Sequence, residues 1–324
     1  MHCHLPEEIL VIIFSYSQGY NFVNRQVCFE FRQMIPKVDF YFYLDQLCKD
    51  NVKVLTASRE IAEVALAKDL PHLLQSNKIF VSDNICTEAA NKGSFKVLKW
   101  ARSQGYSWDE WTCAYPARSG RFKILKWLRV NGCPWDENVC AFAAEGGHLE
   151  ILQWAHANGC PWNEWTCTNA AKNGHLEVLK WARSANCPWS ENTCSSVAWV
   201  GNLKILKWLR ANGCPWNEET CADASFSGHL HVLQWARANG CPWNEDTCAY
   251  AAENGHLEIL QWARSQGCPW NEDTCAFAAS WDHLEVLQWA RANGCPWDEN
   301  TYINARENDH EEIVQWAREN GCPE

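Results

Sequence analysis

The chain has 324 residues, 47% of them hydrophobic, with a mean hydropathy of −0.39 and a formal charge of −11. That balance fits a folded protein of one to three ordinary domains or one elongated repeat domain. The negative charge argues against a nucleic-acid partner, which would need a basic face, and against a polybasic membrane contact. The longest apolar run near the start, Ile9 to Phe14, is too short to span a bilayer, and no cationic segment precedes it as in a secretory signal. A cytoplasmic or nuclear location is therefore expected, with the 19 cysteines as reduced thiols.

The first element is the stretch Leu5-Pro6-Glu7-Glu8-Ile9-Leu10-Val11-Ile12-Ile13-Phe14, followed by Val27-Cys28-Phe29-Glu30-Phe31. It resembles an F-box, whose pattern is L-P-x-E-[IL]-L-x-x-I-F and then a V-C-x-x-[WF] helix. The interval before Val27 is one residue shorter than the family form, and Ser17 stands where leucine is common. In that family the Leu-Pro pair and the following helices dock on the Skp-type adaptor of cullin–RING ubiquitin ligases. The resemblance implies an F-box-like domain over residues 1–40, with adaptor contacts at Leu5, Pro6, Ile9, Leu10, Ile13, Phe14, Val27 and Cys28. The other reading of these apolar residues is an N-terminal helical cap over the first repeat.

Residues 41–80 read as a degenerate repeat that connects the F-box-like segment to a regular array beginning at residue 81. Ala57 to Leu74 carries a helical pattern, but Leu73 takes the place where the spacing of the array requires tryptophan.

In the array, Trp100, Trp127, Trp154 and every 27th residue to Trp316 form one ladder, and Trp108 to Trp297 form a second at the same spacing. The two hold 17 of the 21 tryptophans, and two cysteine ladders (Cys133 to Cys322, Cys86 to Cys275) hold 16 of the 19 cysteines. A period so regular must be read as architecture first. Each of the nine units predicts two short helices. Ser82, Asp109, Asp136, Asn163, Ser190, Asn217, Asn244, Asn271 and Asp298 stand as N-caps before helix A, each followed by an acidic residue that suits the helix dipole. Gly255 and its equivalents break the chain. Helix B then carries an apolar stripe such as Leu257, Ile259, Leu260, Trp262 and Ala263, and stops at Gly267 with proline two residues on. A lone pair of ten-residue helices cannot bury its apolar faces, whereas stacked neighbours can. The expected fold is all-α, an α-solenoid, with the ladder tryptophans in its core. In the last unit Tyr302, Arg306, Asp309 and Glu311 replace ladder residues, which reads as a polar end cap.

Residues 251–268, Ala-Ala-Glu-Asn-Gly-His-Leu-Glu-Ile-Leu-Gln-Trp-Ala-Arg-Ser-Gln-Gly-Cys, resemble the ankyrin repeat, A-A-x-x-G-H-x-x-I-V-x-x-L-L-x-x-G-A. The likeness covers 81–324. The period is 27 instead of the family's 33, and Asp-Thr-Cys-Ala at 246–249 replaces T-P-L-H. Aligning the glycines puts the shortfall where the family carries its β-hairpin finger, so a compact Cys-Pro-Trp turn is expected there. This short form is similar to repeat proteins of giant DNA viruses and their amoebal hosts, which would place it in a host cell.

Cysteine, histidine and tryptophan at fixed spacing raise the question of chemistry. No C-x-x-C pair of the zinc type is present, and one cysteine per turn and per helix A suits small buried side chains better than ligands. His148, His175, His229, His256, His283 and His310 form a ladder of six, whereas a catalytic histidine occurs once. No phosphate-binding glycine loop is present. Neither an enzyme nor a cofactor or metal is expected.

Function is expected where the units differ. On helix A, positions 246, 250 and 253 vary most, and i, i+4, i+7 spacing puts them on one face. The candidate target-binding residues on that stripe are Trp111, Tyr115, Arg118, Phe142, Trp165, Lys172, Trp199, Phe226, Tyr250 and Phe277. Aromatics mixed with charges on an exposed stripe are typical of a binding surface, and in ankyrin proteins the matching face lines a groove. Unselected drift at exposed positions is the alternative. Three of the four off-ladder tryptophans (Trp111, Trp165, Trp199) fall on the stripe and Trp281 lies beside it. Two functions are compatible with this pattern. One is a substrate-recruiting ubiquitin-ligase subunit that binds a Skp-type adaptor and a target protein, and is a monomer outside that complex. The other is a stand-alone interaction scaffold whose N-terminus is only a cap.

Overall fold

The computed structural model describes residues 39–52 and 57–324. The F-box-like positions Leu5, Pro6, Ile9, Leu10, Ile13, Phe14, Val27 and Cys28 lie outside the described residues. The chain divides into two compact units, 1–139 and 140–324. In the first are α1 (Phe40–Lys49), α2 (Arg59–Ala67), α3 (Pro71–Ser76), α4 (Ile85–Lys92), α5 (Phe95–Ser103), α6 (Trp111–Arg118) and α7 (Phe122–Val130). Helix α8 (Glu137–Glu145) carries the division. In the second are α9 (Leu149–Ala157), α10 (Glu164–Lys172), α11 (Leu176–Ser184), α12 (Glu191–Trp199), α13 (Leu203–Ala211), α14 (Glu218–Phe226) and α15 (Leu230–Ala238). It continues with α16 (Asp246–Glu253), α17 (Leu257–Ser265), α18 (Glu272–Ser280), α19 (Leu284–Ala292), α20 (Glu299–Glu307) and α21 (Glu311–Glu319). No strand occurs among the described residues, so the fold is all-α, and the Cys-Pro-Trp segment is a plain turn with no finger.

The helical pattern over Ala57 to Leu74 is two helices. Asp69 adopts a left-handed φ of +58°, Leu70 N–H returns to the Ala65 carbonyl at 2.9 Å, and the chain reverses. The Asp69 carboxylate then accepts from the N–H groups of Lys96 and Val97 at 3.1 and 2.8 Å, capping α5. Leu73, lacking the ladder tryptophan, is 2% exposed.

Five helix A segments, α10, α12, α14, α18 and α20, begin at the expected cap residue, whereas α4, α6 and α16 begin one or two residues later, after Asn84, Glu110 and Glu245. Asp109, Asp136, Asn163 and Asp298 accept a first-turn N–H at 3.0–3.1 Å. The Ser190, Asn217 and Asn271 side chains make no such bond. At Asn244 and Asn271 the amide turns to donate to Asp246 and Asp273, the carboxylates two positions on, at 2.7 and 2.8 Å. Both helix ends close as left-handed turns. At Gly255 (φ +71°) His256 N–H reaches the Ala251 carbonyl at 2.8 Å, and at Gly267 (φ +80°) Cys268 N–H reaches Ala263 at 3.0 Å.

Helix A buries alanine, cysteine and threonine on its inner face, as Thr247, Cys248, Ala249, Ala251 and Ala252 do in α16. Small side chains let successive A helices approach closely: within the second unit α10, α12, α14, α16, α18 and α20 pack each on the next. Helix B supplies the larger core residues, such as Leu206, Leu233 and Leu260, all fully buried.

Three ladders of side chains join neighbouring repeats. Turn thiols donate to the carbonyl of the preceding N-cap residue, Cys241 to Asn217 at 3.4 Å and Cys268 to Asn244 at 3.5 Å, with the same bond at Cys133, Cys187, Cys214, Cys295 and Cys322. Histidine rings reach back to the end of the preceding helix A, His175 to the Glu145 carbonyl at 3.0 Å and His256 to Phe226 at 3.2 Å. A Cβ at Gly255 would come within 2.7 Å of the His283 ring, so glycine is required there by contact as well as by φ. At two of the three positions where His is replaced the bond is kept: Ser94 donates to Leu66, and Arg121 to Asn91 and Lys92, while Asn202 instead accepts from the Ile205 N–H.

The third ladder corrects an expectation. None of the 17 ladder tryptophans is fully buried; all are half-buried. The guanidinium of Arg237 lies 3.9 Å over the Trp243 ring, which meets Trp262 edge to face at 6.0 Å. Arg183–Trp189–Trp208, Arg210–Trp216–Trp235 and Arg264–Trp270–Trp289 repeat the arrangement. The same arginines donate to the cysteine carbonyl four residues on. At position 156 a histidine stacks on Trp162 at 3.8 Å in place of the arginine. The indoles brace the helix B side from outside, each ring held between a guanidinium and the next ring. The last repeat brings a second correction. Tyr302 is no polar cap residue: it is 2% exposed, packed with Ala317, Cys322 and the half-buried Trp297, and its hydroxyl accepts from Arg318. Arg306, Asp309 and Glu311 are exposed as expected.

Candidate protein-interaction surface

The frame leaves one helix A face uncommitted. In each helix the residues at the first, fifth and eighth positions of the ladder escape burial while their neighbours are buried. Each of the ten candidate target-binding residues falls on that face of its own helix, and none is fully buried. In the first unit Trp111 (39% exposed) stacks with Tyr115, centroids 6.0 Å apart at 29°. Both rings border a depression of about 360 Å³ whose opposite wall is Asn84, Thr87, Glu88 and Asn91 of α4. Arg118, one turn on, is exposed.

In the second unit Phe142 is half-buried on α8, and Trp165 stands 51% exposed on α10. Trp199, 49% exposed at the end of α12, is the better integrated: Lys172 lies 5.3 Å over its ring, and Phe226 meets it edge to face at 5.8 Å. Phe226 in turn meets Tyr250 at 5.9 Å. Three successive repeats thus contribute one aromatic row. Phe277 is half-buried on α18, and Trp281, just past its end, is 61% exposed.

Carboxylates accompany the row. Burial pushes the Asp223 carboxyl up to about 6, with the Ser195 hydroxyl opposing, Glu219 adding to the rise and Lys172 opposing. Burial also raises Glu253, and raises the Tyr250 phenol together with Asp246, Glu219, Glu253 and Asp223. Helical spacing alone puts Asp223 and Glu253 on the stripe, and the partners of Asp223 include Ser195 and Lys172 of earlier repeats.

Most of the shifted thiols are held protonated, with Cys187, lowered by its hydrogen bond with Cys167, the exception. A hydrogen bond to a partner thiol, and then burial, push Cys140, Cys214, Cys221, Cys248 and Cys275 far above the ordinary thiol value. Protonated thiols are poor nucleophiles and poor ligands. Among the described residues no cluster of three or more His, Cys, Asp or Glu is arranged to hold a metal, and no helix is long and apolar enough to cross a membrane.

Residues 140–183 match the family model for ankyrin repeats in many copies. The matched segment runs from within α8 through α9 and α10 to α11, so this part of the second unit is similar to ankyrin repeats. Among solved structures, the human ASB11 ankyrin repeat domain matches with a TM-score of 0.39 and 15% identity, over 48% of this chain and 84% of that one. No curated protein matches the chain.

Proposed function

We propose that the chain is a protein-interaction scaffold whose helix A face takes a target protein. The observation that carries this reading is the placement of Trp165 and Trp199 in the second unit. They are exposed on a rigid frame at positions that differ from repeat to repeat, whereas the ladder tryptophans are braced and invariant. Large exposed aromatics on a pre-ordered surface bind with little entropic loss. Simultaneous Trp165→Ala and Trp199→Ala is expected to abolish capture of the target from cytosol while leaving the melting transition nearly unchanged; a target retained by that variant sinks the reading.

The finer proposal is that the N-terminal segment links this scaffold to a ubiquitin ligase. Its support is the F-box resemblance of Leu5, Pro6, Ile9, Leu10, Ile13, Phe14, Val27 and Cys28. An adaptor-docking box ahead of a target-binding array would make the chain a substrate-recruiting subunit with no chemistry of its own. The likeness to repeat proteins of giant DNA viruses makes an amoebal host the first place to look. The full chain should co-purify with a Skp-type adaptor, and Leu5→Ala with Pro6→Ala should break the complex. If the intact chain brings down no adaptor, the ligase role fails and the scaffold role stands.

A further inference from the structure

Charge is sorted by helix in the second unit. Helices α12, α14, α16 and α18 contain eight acidic residues (Glu191, Glu218, Glu219, Asp223, Asp246, Glu253, Glu272, Asp273) and no lysine or arginine. The arginines of these repeats sit on the helix B side, with Arg183, Arg210, Arg237 and Arg264 each committed to a tryptophan face. The helix A face is thus anionic where its aromatic row lies.

We infer that the row Trp199, Phe226 and Tyr250, with Glu219, Asp223 and Glu253 beside it, receives a lysine or arginine side chain from a basic segment of the partner protein. This rests on the reading of the helix A face as a docking surface. Two independent features converge on a cation. The rings stand edge to face at 5.8 and 5.9 Å, and aromatic faces attract a cation through their quadrupole. One cation already uses the row: Lys172 lies 5.3 Å over Trp199, whereas at the other end the charges that act on Tyr250 are the carboxylates Asp246, Glu219, Glu253 and Asp223. Asp223 lies between the two ends on the neighbouring turn. A carboxylate held half out of water beside Glu219 is a liability to the free fold, and a bound ammonium or guanidinium would relieve it. The same field repels phosphate, so a nucleic acid is the wrong occupant. A guanidinium or ammonium on a flexible stem suits a site walled by rings better than a hydrated metal ion.

The test selects a library of random displayed peptides on the full chain. It then compares a recovered peptide on wild type, on Asp223→Asn with Glu253→Gln, and on Trp199→Ala. Lysine and arginine should be enriched, and affinity should drop at least about tenfold in the double variant, which melts no lower than wild type. Binding should also weaken as salt is raised. Basic peptides that bind the double variant as well as wild type overturn the inference. Peptides without basic enrichment that still depend on Trp199 overturn it too, but leave the docking surface in place. Peptides indifferent to both changes, or no enrichment from a chain that melts cooperatively, count against the surface itself.

Discussion

Trp189 and Trp199 stand ten positions apart in one repeat and have opposite fates. Trp189 is sandwiched: Arg183 covers one face at 3.8 Å and Trp208 closes at 6.3 Å, as in the three repeats that follow it. Trp199 is half open to solvent, and its neighbours Lys172 and Phe226 are found in no other repeat at those positions. The same side chain is mortar in one place and a contact in the other. What separates them is recurrence, because only a residue whose partners also recur can be part of the joint between identical units.

The contrast can be broken by substitution. The largest effect should come from Trp189→Ala, which removes the ring from between its arginine and its neighbour and strands the guanidinium. A loss of about 2–3 kcal/mol is expected, below the full cost of a core tryptophan because the ring is only half-buried. A denaturant titration measures it, and a loss no greater than that at Trp165 would dissolve the distinction. Next comes Asp223→Asn. The folded carboxyl holds its proton up to about 6 against 3.8 for the free group, so wild-type stability falls as pH rises through that window. The variant should therefore be more stable by about 1 kcal/mol above about pH 6, solvent on the open side screening part of the effect, and equal to wild type below about pH 4. A constant difference across the range would mean that Asp223 is not desolvated. The smallest shift is expected at Trp165→Ala, within about 0.5 kcal/mol of wild type by thermal melt, as for other exposed sites. A large destabilisation there would make Trp165 part of the frame.

Much of the fold was legible because it repeats. The left-handed turns at Gly255 and Gly267, the helix pair and the absence of a finger all arise from residues whose effect is local. The stripe was legible too, since positions 246, 250 and 253 share a helix face by spacing alone. The role of the tryptophans was not. A strict period says that a residue belongs to the frame, but not whether it works from inside or outside, and the Arg–Trp pairing is closed by a backbone turn that brings residue i over i+6. Cysteine was read as a small apolar filler, yet its thiol makes a directed bond to a carbonyl 24 residues back. Asp223 owes its surroundings in part to Ser195 and Lys172 of earlier repeats, which no local pattern encodes.

The joints have a reach that matters beyond stability. Cys241 bonds 24 residues back and His256 30 residues back, one on either side of the 27-residue period. Each repeat therefore finishes its predecessor and is finished by its successor, and needs nothing farther away. A tandem copy of the block 230–256 would arrive with both of its joints, Cys241 and His256, already matched. Unequal crossing-over in the gene could thus lengthen or shorten the array in a single step and still yield a protein that folds. Each such event would add or remove three stripe positions at once. The specificity of the surface is open to revision by copying, while the masonry that holds it stays the same.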